Sequence, residues 1–197
     1  NHTLILRKDG TVWATGYNSK GQLGDGTTTT TNKFHKVKGP NGEGYLQNIV
    51  QVTTGYYTGY ALTAKGEVYG WGSNKYGELG QGNQSDTPIL NPTKVKKVAN
   101  IIQISAGSDY IAMLDAEGKV WSTGYNGYGQ LGIGNTTLQT LPQQMTSVSG
   151  IKEISAKGSN TYMLTEGGYV QATGNNYFSQ LGDGNSTDRT TAVDVKT

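Results

Sequence analysis

The chain has 197 residues, enough for one domain with a substantial core, and its 15% of charged residues leave a net charge of +2, too balanced to support a nucleic-acid or membrane-surface partner by bulk electrostatics. It has no cysteine, which excludes disulfides, thiol catalysis and cysteine-ligated zinc. No stretch approaches the roughly 18 apolar residues of a membrane helix, and 30 glycines with only two phenylalanines lean the composition toward a secreted or cell-surface β-protein rather than a cytoplasmic one.

In chain order, the first run, Leu4-Ile5-Leu6, is followed by a Gly turn at Asp9-Gly10, a run carrying Val12, a long loop through Leu23 and a weaker run at His35-Lys36-Val37. A turn-rich insertion, 38–45, leads to Asn48-Ile49-Val50-Gln51-Val52, and the series then starts again: Leu62, the turn Lys65-Gly66, Val68 and Leu79. Asn100-Ile101-Ile102-Gln103-Ile104 opens a third round with Leu114, Val120 and Leu131, and Gly150-Ile151-Lys152-Glu153-Ile154 a fourth with Leu164, Val170 and Leu181. The residue two before each of Leu6, Leu62, Leu114 and Leu164 is Leu4, Tyr60, Ala112 or Tyr162, which gives that run one apolar face at period 2. No segment carries an apolar 3.6-residue period, and four short strands per unit of roughly 50 residues is the arithmetic of a β-propeller blade. The repeat motifs fall at 9–26, 65–82, 117–134 and 167–184 within one repeat domain, 1–197.

The first strand of the unit occurs three times and the other three strands four times. The sequence therefore predicts an all-β chain of four-stranded antiparallel blades, three complete and one incomplete, belonging to a larger ring or an assembly. Incomplete blades expose strand edges, so self-association through them is one expectation. No secretory leader is visible and the first residue is Asn, so the chain reads as a mature product, an excised piece or part of something longer.

The pattern Gly-x-Asn-x-x-Gly-Gln-Leu-Gly-x-Gly is complete in Gly16 to Gly26 and in Gly124 to Gly134, with Glu78 for Gln in the second copy and Ser179 for Gly in the fourth. With Ile104-Ser105-Ala106-Gly107 before it, whose glycine is replaced by Lys157 in the last copy, it resembles the regulator of chromosome condensation repeat family. The resemblance covers the whole chain and implies propeller blades, typically seven in a ring. It implies no single activity. Members exchange nucleotide on a small nuclear GTPase, sense light, inhibit β-lactamases or sit inside ubiquitin ligases, so function has to be argued from the site.

The invariant motif residues read as structural: Gly16, Asn18, Gly21, Leu23 and Gly24; Gly72, Asn74, Gly77, Leu79 and Gly80; Gly124, Asn126, Gly129, Leu131 and Gly132; and Gly174, Asn176, Leu181 and Gly182. The glycines lack the Lys-Ser/Thr pair and helix of a phosphate loop, and each Asn suits a side chain that bonds loop backbone. Asp25-Gly26-Thr27 and Asp183 to Asp188 do not match a calcium loop, and Gln81 and Ile133 stand at the corresponding positions. His2 and His35 have no fixed Ser or Asp partner, so no catalytic, cofactor or metal site is expected. The sequons at Asn83, Asn135 and Asn185 share a repeat position and read as turn chemistry.

The positive candidates are aromatic. Tyr17 and Tyr125 follow the loop glycine, while Tyr76, Tyr128 and Phe178 share one motif position that Lys20 takes in the first copy. Repeat symmetry places them on one face, where rings could anchor a protein; the alternative is that this position packs against the neighbouring blade. The sequence thus points to a non-enzymatic scaffold that binds a protein through rim loops and an aromatic face, without cofactor, nucleic acid or membrane insertion. A carbohydrate-binding or adhesive module is the second reading. Guanine-nucleotide exchange is the third, and the loop residues that role needs are not matched here.

Overall fold

The computed structural model describes residues 1–196, so of the predicted repeat domain 1–197 only Thr197 lies outside the described residues. Among the described residues fifteen strands form four antiparallel sheets, each a meander in which chain order and spatial order coincide. The first sheet holds β1 (His2–Leu6), β2 (Val12–Gly16) and β3 (Thr31–Lys36); the second holds β4 (Ile49–Thr54), β5 (Thr58–Thr63), β6 (Val68–Asn74) and β7 (Ser85–Lys94). The third holds β8 (Ile101–Ala106), β9 (Tyr110–Asp115), β10 (Val120–Gly124) and β11 (Gln139–Gln144), and the fourth β12 (Ile151–Lys157), β13 (Asn160–Thr165), β14 (Val170–Gly174) and β15 (Arg189–Asp194). As predicted, the first sheet has three strands and lacks the one that opens the other units. The first strands outrun their apolar patterns because the ladder continues, with Thr54 opposite Gly59 and Ala106 opposite Ile111.

The core is three interfaces between consecutive sheets. Val12, Ala14 and Leu23 of the first sheet's unit meet Ile49, Ala61 and Trp71 of the second; Tyr60, Leu62 and Leu79 meet Ile104, Ile111 and Met113; Tyr110, Leu114 and Leu131 meet Ile151, Ile154 and Met163. This corrects the expectation of a single apolar face in the run that ends on Leu6, Leu62, Leu114 and Leu164. An inner sheet is covered on both sides, so all six residues of β9 are buried, whereas β1 alternates between half-buried and exposed. The two outermost sheets present opposite faces: Ile5 stands exposed on the first, and Tyr162 and Leu164 are half-buried on the last.

Side chains also stitch the first strands together. Gln51 Oε1 accepts Ile104 N at 2.9 Å while its Nε2 donates to Ile104 O at 3.0 Å, and Gln103 repeats both bonds on Ile154 at 2.8 and 3.1 Å. A side-chain amide can satisfy both backbone groups of one residue because its N–H donors and its carbonyl acceptor lie side by side. Ser105 Oγ adds a bond from Ala156 N at 2.8 Å.

Ser179 is the one motif departure with a backbone consequence. It sits at φ +58, where Gly21, Gly77 and Gly129 have φ +70 to +78. A Cβ on Gly77 or Gly129 would approach the next sheet's outer strand to 2.7 or 2.5 Å, at Thr140 or Arg189. Ser179 belongs to the last sheet, and among the described residues no further sheet faces it. Left-handed backbone costs a non-glycine residue about 1–2 kcal/mol, partly offset by the lower unfolded-state entropy of serine. Ser179→Gly is expected to stabilise the chain by about 0.5 kcal/mol in urea titration; a loss of stability would refute this.

Candidate functional site

The loop after each third strand is built around the motif asparagine, which is fully buried in all four copies. Asn18, Asn74, Asn126 and Asn176 each accept the N–H of Leu23, Leu79, Leu131 or Leu181 on Oδ1, at 2.9–3.2 Å. Their Nδ2 groups donate across the loop, Asn126 to Asn135 O at 2.8 Å and Thr137 O at 3.1 Å, Asn176 to Asn185 O at 3.0 Å and Thr187 O at 3.1 Å. All four leucines are fully buried, and Leu23, Leu79 and Leu131 plug the three sheet interfaces. The sequon asparagines 135 and 185 accept the N–H of Thr137 and Thr187 at 2.9 and 3.0 Å, an Asx turn in each case.

The motif Gln positions the residue two before it. Gln22, Gln130 and Gln180 accept the N–H of Lys20, Tyr128 and Phe178 at 2.8, 3.0 and 2.9 Å, and Glu78 takes the N–H of Tyr76 at 2.7 Å. The structural amide therefore carries the aromatic candidates at the loop crest. Glu78 is fully buried with Oε1 unpartnered. Burial pushes its carboxyl above the ordinary range, the Ser73 hydroxyl and backbone N–H groups oppose this, and Asp109 adds to the rise.

A raised folded-state pKa means that the native chain holds this proton more tightly than the unfolded chain. Stability is then greatest below the ordinary glutamate value of about 4.3 and falls as pH rises through the raised value. Glu78→Gln, which restores the motif amide, is expected to gain about 1 kcal/mol at pH 7 and nothing at pH 4 by denaturant titration. An equal gain at both pH values would remove the ionisation argument.

Three of the five aromatic candidates are brought together. Tyr76 lies 5.1 Å from Tyr125, and Tyr125 lies 6.1 Å from Tyr128, edge to face. Tyr17 stands apart from them, 6.3 Å from Tyr57, and Phe178 packs edge to face on Tyr177 at 4.8 Å. Tyr76 thus packs on the next unit's Tyr125, the alternative that repeat symmetry had left open, whereas Phe178 is 81% exposed. Sequence reasoning missed Tyr56, Tyr57 and Tyr177. The signal was Gly55-Tyr56-Tyr57 in the turn between the first and second strands, which reaches the same side as the motif loops.

Two hollows lie among these rings. One, about 350 Å³, is lined by Lys20, Tyr56, Tyr57, Tyr76, Asp86 and Asp109 among others. Burial raises the Asp109 carboxyl above its usual range, with Lys75 opposing. The other, about 860 Å³, is lined by Tyr128, Tyr177, Phe178, Asn160, Asn175 and Gln180 with Asp188 and loop hydroxyls.

Asp183 and His2 are the remaining titratable candidates named by the sequence. Asp183 receives Asn176 Nδ2 on one oxygen at 3.0 Å and Arg189 Nε and Nη2 on the other at 2.6 Å. His2 has neither ring nitrogen partnered, and burial followed by the N-terminal ammonium lowers its pKa to about 4, so the ring is neutral. No cluster of three or more His, Cys, Asp or Glu suited to a metal occurs among the described residues, and no helix there is long and apolar enough to cross a membrane.

Antiparallel meanders packed face to face, each closed by an Asn-centred loop, are β-propeller blades. Signatures described as Regulator of chromosome condensation (RCC1) repeat match residues 65–114 and 117–164, and in a second form 1–22, 49–78 and 101–130. The chain belongs to the regulator of chromosome condensation (RCC1) repeat family. It is 37% identical over 132 residues to the Protein RCC2 homolog of Danio rerio, covering 66% of this chain and 26% of that protein. It is 36% identical over 146 residues to the Homo sapiens "Probable E3 ubiquitin-protein ligase HERC4", covering 73% of this chain and 13% of that protein.

Among solved structures, human WBSCR16 matches all of the chain with TM-score 0.88 and 26% identity, over 51% of its own length. Prp20p of Saccharomyces cerevisiae, described with its binding properties to Gsp1p and histones, matches with TM-score 0.87, 21% identity and 49% of its length, a likeness of fold alone. The chain spans about half of these structures and about a quarter or less of the curated relatives. The relatives overturn the compositional preference for a secreted or cell-surface setting, because the RCC2 relatives are intracellular proteins. Glycine, threonine and asparagine are abundant here because the repeated loop needs them, not because of a compartment.

Proposed function

We propose that this propeller segment is a non-enzymatic scaffold whose aromatic loop face anchors a protein partner. One observation carries the reading: Tyr17, Tyr128, Tyr177 and Phe178, on loops fixed by buried asparagines, and Tyr56, on the neighbouring turn, each keep at least 40% of their surface exposed. Rigid aromatic rings at low entropic cost are the residues that dominate protein interfaces. Relatives that include a ubiquitin-ligase homologue and a protein studied for binding Gsp1p and histones support a protein ligand.

A photo-crosslinking residue at position 177 is expected to give one discrete protein adduct in cell extract, unaffected by free sugars, and a residue at the exposed control position Val50 none. Phe178→Ala with Tyr128→Ala should leave the fold intact and weaken the captured complex by at least about 30-fold, the cost of losing a hot spot. Undiminished binding would sink the aromatic reading. The hollow of about 860 Å³, where rings meet the amides of Asn160, Asn175 and Gln180, favours carbohydrate as the second reading. Adducts abolished by a simple sugar would select it. Nucleotide release from a small GTPase would instead select the exchange reading.

A further inference from the structure

The outer edge of the first sheet carries a ladder of alternating cations and rings. The Arg7 guanidinium lies 4.7 Å from the Trp13 ring centre, Lys36 Nζ lies 5.5 Å from Trp13 and 5.4 Å from Tyr45, and Lys38 Nζ lies 5.4 Å from Tyr45. Strand register builds it: Trp13 pairs opposite Lys36 across β2 and β3, and Lys38 pairs opposite Tyr45 across the inserted loop. Both lysines are half-buried, and neither they nor Arg7 form an ion pair among the described residues.

The second unit supplies an internal comparison. Its equivalent outer-strand lysine, Lys94 opposite Tyr69, is bridged at 2.7 Å by Glu67, the residue before Val68. In the first unit the residue before Val12 is Thr11, and the bridge is missing. The nearby acids make no ion pair with these cations: Asp9 accepts Thr11 N and Oγ1 and feels Arg7 and Lys36 only at longer range, and Asp25 accepts Thr27 N and Oγ1. Lys36, Lys38, His35 and Tyr45 border a hollow of about 470 Å³ that Thr27, Thr29, Thr30, Thr31 and Asp25 also line. The hydroxyls of Thr29 and Thr30 donate to no described residue, although Thr30 Oγ1 accepts Asn18 N at 3.3 Å.

Two ammonium groups held by aromatic faces, with free hydroxyl donors in the same hollow, form a compact receptor for a tetrahedral oxyanion. We propose that this hollow binds a phosphate monoester carried on a serine or threonine side chain of a protein partner. Of the chain's lysines and arginines only Lys36 and Lys38 line this hollow, on a chain with net charge +2. A polynucleotide backbone calls for a basic stripe, so the shape favours a single phosphorylated side chain. The site shares no residue with the aromatic face, and it stands or falls independently of that reading.

The test is an amide NMR titration of the whole chain with N-acetyl-O-phosphothreonine methylamide, its unphosphorylated form and a thymidine dodecanucleotide. Saturable shifts at Thr29, Thr30, Lys36 and Lys38 are expected with the phosphorylated probe alone. Lys36→Gln with Lys38→Gln should weaken binding about tenfold or more, the worth of a charge-assisted hydrogen bond. Thr11→Glu, which copies the Glu67 bridge and removes no lysine, should do the same, and Lys96→Gln with Lys97→Gln should not. Absence of saturable shifts, equal response to the unphosphorylated probe, or binding unchanged by Thr11→Glu would overturn the site. Tighter binding of the oligonucleotide than of the phosphothreonine probe would overturn the protein partner.

Discussion

Asn126→Ala is expected to cost about 3 kcal/mol of unfolding free energy, a fall of roughly 6–12 °C in Tm for a chain of this size. The substitution removes a fully buried amide that accepts Leu131 N at 3.0 Å and donates to Asn135 O and Thr137 O at 2.8 and 3.1 Å. Leu131 is itself fully buried in the interface with the fourth sheet, so its N–H cannot turn to water, and an unmade buried hydrogen bond costs more than a made one contributes. Asn126→Asp separates the roles. A carboxylate can still accept Leu131 N but cannot donate to the two carbonyls, so it should lie between alanine and wild type at low pH, where it is protonated, and fall toward alanine at neutral pH. Chemical denaturation of both variants across pH decides this. A loss below about 1 kcal/mol for Asn126→Ala would mean that the loop holds itself without its hub.

The same residues explain what could be read from the sequence. Gly16, Asn18, Leu23 and their copies are dictated by local loop geometry, which repeats, so their spacing revealed both the unit and the missing first strand. Contacts between units are less visible. Nothing local distinguishes Gln51 and Gln103 from surface glutamines, because their partners Ile104 and Ile154 lie one whole unit away. The burial of Ala61, Ile111 and Met113 was likewise hidden, since period-2 reasoning assumes one wet face and these strands have none. Tyr56 and Tyr57 lie outside the repeated motif, so alignment of the copies could not bring them to the aromatic face. The lysine ladder needed the register of β2 and β3 and the Lys38–Tyr45 bridge, neither of which a sequence pattern reveals.

Gly72→Ala should be among the most damaging single methyl additions, at about 4 kcal/mol or more. Two separable costs meet there. The residue has φ +103, which strains any side chain, and an added Cβ would run into the Tyr57 carbonyl oxygen, with Thr58 Cα at 3.1 Å. Those atoms belong to the turn entering β5, and Ser73 N donates to the same Tyr57 carbonyl at 3.0 Å. The collision therefore lands on backbone that is already hydrogen-bonded and cannot swing aside as a side-chain tip could. Overpacking that forces backbone movement costs about 1–3 kcal/mol, and the left-handed conformation adds about 1–2 kcal/mol. Gly168→Ala isolates the second cost. That glycine has φ +84 in the turn before β14, and an added methyl group there would meet nothing within 4 Å, so the expected loss is about 1 kcal/mol. If the two variants melt together, backbone sign alone governs the glycine pattern. If Gly72→Ala is several-fold worse, close approach of the third strand's end to the turn before the second is what fixes that glycine in every copy, as the Asp109 and Ser159 carbonyls facing Gly124 and Gly174 also imply.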